Sequence, residues 1–437
     1  MSLLHPQGTT CALGELDLHA MPATQKDVIR SQKVTKTTNN ALTNNTTTFD
    51  FTFEPTSLYT SLNDVLLYLQ YEVVQANGQH ITDAQEAAPV NNIAHSLFSS
   101  VQMLINGEKI TSNNDEYPYK AYMLDLLSKD DGLKETWLKG CHRWHQDTAG
   151  HMDTRGEANK GWTARKADAV EANTQGIIMH PHIDILKQGK YLPGQCELRF
   201  IFERSPEAFY MHQAPNAGCR INITKAEMSL WQCHIRPEVV EVHNKMLHTP
   251  GFGPFNYPIR RCRVTKHILN QGSQEYSWSQ PDTSQIPTQT IIGLVKESAS
   301  SGNHGENPFN FQAYGLKEIG VKYDDFKYEV KTDFDTNNFV QAFAQLYSDT
   351  GLEFAEKDCG ITPEEFKGGY ALYAFDLTPD RTPEDQRINL IKTGKLNLSL
   401  RFGAPTQHAI SVMVLSFYDN LITLNSDRLP TTDYHMV

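Results

Sequence analysis

Two groups of side chains in this sequence have types and spacings that could hold a metal ion. His180-Pro181-His182 is a His-x-His pair. The densest group among the 17 histidines is Cys141, His142, His145 and His151. A structural zinc needs four ligands, normally in two close pairs. Cys141 and His142 are adjacent, would both reach one ion only with strain, and have no second cysteine pair behind them. The sequence reading is therefore no metal site, no cofactor and no catalytic residue, with these histidines as polar loop and strand positions.

The other chemistry-bearing patterns are equally bare. The chain has no G-x-S-x-G elbow, no H-E-x-x-H, no phosphate-binding glycine loop and no dinucleotide fingerprint. Asp130-Asp131 and Asp324-Asp325 are paired carboxylates best read as solvated turns. Arg260-Arg261-Cys262-Arg263 is a local basic cluster, but the formal charge of −12 speaks against a dedicated nucleic-acid binder. No apolar run spans a bilayer: Ala409 to Tyr418, the longest, is interrupted by serines. Seven scattered cysteines, an odd number without a C-x-x-C pair, and an N-terminus without a signal pattern predict reduced thiols in a protein made inside the cell. On that reading the Asn-x-Thr/Ser triplets at Asn44, Asn45, Asn222 and Asn397 carry no glycan.

The elements that would position these groups are mostly strands. Thr47, Phe49, Phe51 and Phe53 alternate with polar residues until Pro55, a period of two. Leu62 to Gln75 runs apolar and β-branched into Asn77-Gly78, and Val101 to Ile105 runs into Asn106-Gly107; both dipeptides are hairpin signals. Lys120 to Ser128 reads as a short helix, and a helix over Asn337 to Tyr347 echoes it. Further strands are expected at Ile221 to Trp231, Ile259 to Leu269, Glu275 to Ser279, Thr290 to Val295, Leu316 to Tyr323, Gly369 to Leu377 and Ile410 to Leu424. Short strands, frequent turns and rare helices predict an all-β protein of β-sandwiches or jelly rolls. Residues 1–44 read as an N-terminal arm, with a short helix over Gln25 to Lys33. Residues 129–176, polar and holding Trp137, Trp144 and Trp162, read as a long loop facing a neighbouring subunit or projecting outward. Ser298 to Asn307 reads as a Gly/Ser/Asn loop.

The sequence also repeats itself. Ile183-Asp184-Ile185-Leu186-Lys187-Gln188-Gly189-Lys190 returns as Ile388-Asn389-Leu390-Ile391-Lys392-Thr393-Gly394-Lys395. Each copy leads into Leu-Arg-Phe, at Leu198-Arg199-Phe200 and at Leu400-Arg401-Phe402, and then into a last alternating strand. Matched elements in matched order predict a duplicated domain rather than a solenoid. The expected organisation is an arm at 1–44, one jelly roll at 45–237, a second at 238–425 and a tail at 426–437.

Ser96-Leu97-Phe98-Ser99-Ser100-Val101-Gln102-Met103-Leu104-Ile105-Asn106-Gly107, followed by Asn114-Asp115-Glu116-Tyr117-Pro118-Tyr119, resembles the major capsid proteins of Polinton and adintovirus-like elements and related DNA viruses. Asn307-Pro308-Phe309-Asn310-Phe311, Ile319-Gly320-Val321 and Ala374-Phe375-Asp376-Leu377-Thr378 extend the resemblance. It implies two consecutive jelly rolls (a double jelly roll), homotrimers acting as pseudo-hexameric, hexon-like capsomers of an icosahedral shell, and a place in the virion. The implied partners are further capsomers, penton proteins and minor capsid proteins, with no specific nucleic-acid binding; nucleus or cytoplasm stays open as the place of synthesis. The competing class is a soluble jelly-roll carbohydrate-binding protein or a cupin-like metal protein. Cupins set a glycine farther ahead of a His-x-His pair and a glutamate soon after it; here Gly176 leaves only three intervening residues, and Asp184, Ile185, Leu186 and Lys187 stand where the glutamate belongs.

Overall fold

A computed structural model describes residues 5–434 apart from 6, 10, 12, 44–45, 112–115, 281–283, 354–357 and 383–386. The triplets at Asn44 and Asn45 and the Asn114-Asp115 pair therefore lie outside the described residues. Eight strands of the first half make its two main sheets: β1 Val28–Thr37, β2 Thr48–Phe53, β3 Tyr59–Val74, β4 Phe98–Ile105, β5 Glu108–Lys109, β6 Gln175–Met179, β7 Leu198–Arg204 and β8 Arg220–Ile235. Eight strands of the second half do the same: β9 Phe255–Leu269, β10 Glu275–Ser279, β11 Gln289–Lys296, β12 Leu316–Tyr323, β13 Phe326–Lys331, β14 Leu372–Asp376, β15 Asn397–Phe402 and β16 Ile410–Leu424.

Their pairing makes the duplication explicit. The first half has sheets ordered β1-β8-β3-β6 and β2-β7-β4-β5, and the second has β9-β16-β11-β14 and β10-β15-β12-β13. Adding eight to each strand number turns one half into the other. All these pairings are antiparallel. Each half is thus a sandwich of two four-stranded sheets with jelly-roll connections, joined in the first by a two-stranded sheet of Ala87–Pro89 with Met211–Gln213 and in the second by Pro430–Thr432 pairing on β16. The chain is a double jelly roll. Even the hairpins correspond: Ile105 pairs with Glu108 across Asn106-Gly107, and Tyr323 pairs with Phe326 across Asp324-Asp325. Asn106 and Gly107 both take positive φ, 49° and 83°, as a tight right-twisted hairpin requires.

The Leu-Arg-Phe strands sit in equivalent central places, β7 between β2 and β4, β15 between β10 and β12. Leu198, Phe200, Leu400 and Phe402 are all buried. Alternation turns the arginines to the other face, where Arg199 pairs with Asp50 at 2.5 Å and Arg401 with Glu318 at 3.3 Å. On the inner face Phe51 and Phe202 meet edge to face at 6.0 Å, as do Phe53 and Phe200 at 6.2 Å, the geometry aromatic quadrupoles favour.

Three expectations fail here. The helix over Gln25 to Lys33 is instead strand: Val28–Thr37 pairs with β8 along its length, so the arm of residues 1–44 contains the first strand of the first sandwich. Its side chains are exposed or half-buried, because an edge strand is held by backbone hydrogen bonds rather than an apolar face, and no period-two signal is written into it. The 129–176 loop is largely ordered structure, including helices Lys139–His142 and Lys160–Glu171. The Ser298 to Asn307 loop begins with a helix, Glu297–Gly302.

Candidate functional site: the seam between the halves and a buried histidine cluster

The seam is built from the two segments the sequence marks, the long loop and the first copy of the repeat. Trp144 and Trp162 of the loop are buried, while Trp137 is exposed. Trp144 stacks on Tyr122 of helix Tyr117–Ser128, and Tyr122 stacks on Phe309 of the second half with centroids 4.0 Å apart. Arg165 donates to Asp147 at 2.7 Å, both side chains almost wholly buried, and the other Asp147 oxygen accepts from Asn307 Nδ2 at 2.9 Å. Tyr370 Oη donates to the Asp147 carbonyl at 2.7 Å, and the Gly150 amide donates to the Gly368 carbonyl. The loop therefore joins the two sandwiches of one chain. It does not simply project outward: Leu138, Trp144 and Met152 join the core, and its polar residues are matched by polar backbone and side chains of the second half, a complementarity no local pattern reveals.

The first repeat copy folds into a 3₁₀ turn, Asp184–Lys187, with Ile183, Ile185 and Leu186 buried. It is tied to edge strand β9 of the other half. Asp184 accepts from Lys120 Nζ at 2.8 Å and from the Cys262 amide at 3.1 Å. Gln188 donates to the Pro258 carbonyl, and Lys190 to the Asn256 carbonyl at 2.8 Å. Among the described residues the second copy has no such cover: Ile388, Leu390 and Ile391 are 57%, 80% and 59% exposed. The sheets differ in the same sense. In the second half β11 and β14 and the Ile410–Phe417 stretch of β16 are buried on both faces apart from Lys296. In the first half β3 buries Val65, Leu67, Leu69 and Tyr71 but leaves Leu66, Tyr68, Gln70 and Glu72 half-exposed.

Arg260 and Arg261 turn inward rather than toward a nucleic acid. The Arg260 guanidinium lies 4.2 Å from the Phe417 ring centre, and Arg261 sits between Tyr418 and Tyr434 at 4.5 and 4.6 Å.

The two histidine groups of the sequence contribute one member each to a single cluster. His142 and His182 meet His95, from helix Ile93–Ser96, around Asp125 of helix Tyr117–Ser128. His182 Nε2 lies 3.1 Å from Asp125 Oδ1; His95 Nε2 and His142 Nδ1 lie 3.8 and 3.7 Å from Oδ2. Asn92 Nδ2 donates to Oδ2 at 2.8 Å, and His95 Nδ1 lies 2.8 Å from Tyr117 Oη. Burial opposes charge on the Asp125 carboxyl, but the surrounding imidazoles, His182 foremost, outweigh it and hold the group well below the usual carboxylate range. Burial, with His182 beside it, pushes His95 well below the ordinary histidine range. His180 is exposed, His151 is exposed, and His145 pairs with Asp168 at 2.9 Å, so these do not join. His95 and Asp125 went unread in the sequence, since neither has a ligand-spaced neighbour in the chain.

No family model matches this chain. An uncharacterized protein of Caenorhabditis elegans is 23% identical over 397 residues, covering 86% of this chain and 90% of the relative. A chain of the Sputnik virophage, from its 3.5 Å cryo-EM structure, is similar with a TM-score of 0.64 at 11% identity, covering 99% of this chain and 94% of that one. The Faustovirus major capsid protein is similar with a TM-score of 0.56 at 9% identity, covering 92% of each chain. At such low identity the likeness establishes the fold, the double jelly roll that the strand order shows independently. Among the described residues no helix is long and apolar enough to cross a membrane.

Proposed function

We propose that this chain is the major capsid protein of an icosahedral DNA virus or virus-like element, a structural protein rather than an enzyme, whose trimers form pseudo-hexameric capsomers. The carrying observation is the unequal use of the repeat. Within one chain, Ile183 to Lys190 docks on edge strand β9 of the second sandwich. The equivalent residues of the second sandwich, Ile388, Leu390 and Ile391, are exposed, and among the described residues the equivalent edge strand β1 of the first pairs only with β8. A second copy of the chain supplies the missing partner for each, head to tail. Such a heterologous contact closes a ring when the rotation allows it. Three chains then present six similar sandwiches, which suits the six-neighbour positions of a shell. The viral capsid proteins that share the fold support this reading, and the near-full-length relative in an animal supports a Polinton or adintovirus-like origin. In the virion the partners are neighbouring capsomers, penton proteins and minor capsid proteins.

Light scattering on the purified protein tests the trimer: three chains of 49.4 kDa give about 148 kDa. The double variant Leu390→Asp/Ile391→Asp should give a folded monomer, because the charges fall on a surface already exposed within one chain. A wild-type monomer at micromolar concentration, or a trimer indifferent to both charges, overturns the reading.

A further inference from the structure

We infer that His95, His142 and Asp125 form a binding site for one divalent transition-metal ion of the zinc class, with His182 hydrogen-bonded to the other Asp125 oxygen. Four side chains from four separate segments converge: the short helix before β4, the helix after β5, the long loop and the segment after β6. Two imidazoles and a carboxylate, with a fourth position left to water, are a zinc-type ligand set, with metal–ligand distances near 2.0–2.2 Å. Ligand atoms around such an ion stand about 3.3–3.5 Å apart by tetrahedral geometry. His142 Nδ1 and His95 Nε2 stand 3.7 and 3.8 Å from the same oxygen, Asp125 Oδ2, a few tenths of an ångström beyond that spacing.

Two further features point to a ligand. His95 Nε2 and His142 Nδ1, in side chains 1% and 6% exposed, face the carboxylate without a hydrogen-bond partner; buried ring nitrogens are seldom left so. The opposite nitrogen of His95 is oriented by Tyr117 Oη, and Asp125 by Asn92. Outer partners of this kind fix ring orientation in metal sites.

The second half shows what a buried carboxylate needs when no ion is involved. Helix Val340–Asp349 lies between β13 and β14, as Tyr117–Ser128 lies between β5 and β6, and it also carries a buried aspartate. Asp349 is balanced by Arg381 at 2.5 Å and held by the Asp376 amide and Gln345, both at 3.2 Å. One arginine suffices there. Two histidines with a ring nitrogen to spare, beside a third already hydrogen-bonded to the carboxylate, exceed what charge balance asks. Soft-to-borderline nitrogen ligands exclude magnesium and calcium, which take oxygen. His182, the most exposed of the four, lines the cleft between the halves and offers an entry path. An ion here would pin the long loop, which carries the seam, to the first sandwich.

The test is metal analysis of the untagged full-length protein, purified without chelator and dialysed against metal-free buffer. About one zinc per chain is expected, falling below about a tenth after treatment with dipicolinate, with the thermal midpoint dropping and recovering on added ZnCl₂. His142→Ala should lose the ion and the ZnCl₂ response, while His145→Ala and His151→Ala retain both. Cobalt loaded into the stripped wild-type protein should show tetrahedral visible bands, a readout that does not depend on any variant folding. Wild-type protein that holds no zinc, shows no midpoint shift with ZnCl₂ and no tetrahedral cobalt bands overturns the site and leaves a hydrogen-bonded histidine cluster only.

Discussion

Tyr122 of the first sandwich and Phe309 of the second lie ring on ring, 4.0 Å apart and within 1° of parallel, with Trp144 stacked on the far side of Tyr122. Nothing in either half alone would bury these faces. The stack makes the two jelly rolls one mechanical unit, and it is fed by the loop that sequence reading assigned to a neighbour.

Phe309→Ala should therefore do more than empty a cavity. Truncating a fully buried aromatic costs on the order of 3–5 kcal/mol, and here the loss falls on the contact between halves. Calorimetry should show one unfolding transition in the wild type and two in the variant; a single transition at a merely lower temperature would show that other seam contacts carry the coupling.

Phe200 and Phe402 occupy equivalent inner-face positions, 0% and 1% exposed. Each truncation to Ala should destabilise its own sandwich by about 3–5 kcal/mol. Urea unfolding of the two variants should give closely similar losses. A difference of more than about 2 kcal/mol would mean that one core relaxes around the gap and the other does not.

Deletions at the N-terminus should separate folding from assembly. Residues 13–24 are exposed, so a protein starting at residue 25 should unfold at the wild-type temperature and still trimerise while closing particles poorly. A protein starting at residue 39 lacks β1 and bares the hydrogen-bonding edge of β8. Bared edges invite association, and this variant should melt earlier and aggregate. Equal melting of both truncations would show that β1 adds nothing to the sandwich.

His212 gives the fold a dependence on acidity. Burial pushes it down from 6.5 to about 4, so the unfolded chain binds a proton there before the folded one does. Its contribution is fully present above pH 6.5 and is lost as the pH falls toward 4, up to about 3 kcal/mol in all. Urea midpoints measured from pH 7 to pH 4.5 should fall, and His212→Gln should flatten that slope. An unchanged slope would place the acid sensitivity elsewhere.

Local chemistry was enough to read much of the architecture. The bounds of β10, β12 and β16 coincide with the runs expected at Glu275 to Ser279, Leu316 to Tyr323 and Ile410 to Leu424. The two expected helices fall within a few residues of their places, while the 12-residue helices Lys160–Glu171 and Pro237–His248 were not foreseen. The repeated segment announced two equivalent sandwiches, because a duplicated core keeps its Leu-Arg-Phe alternation. Strand β1 was not legible, since an edge strand with exposed side chains writes no pattern and owes its place to the backbone of β8.

The rest belongs to tertiary structure. Ile183 and Ile388 open matching octapeptides, yet one is buried and the other exposed, because burial depends on which surface arrives opposite. His142 and His182 were visible as histidines with ligand-like neighbours, and both of those neighbourhoods were the wrong ones. Their actual companions, His95 and Asp125, stand on other segments, from 17 (142 − 125) to 87 (182 − 95) residues away in the chain. Periodicity and the repeated segment determined that this protein would be two similar β-sandwiches. Which side chains share a buried site was decided only by folding, since a site's geometry is a property of converging segments rather than of any one of them.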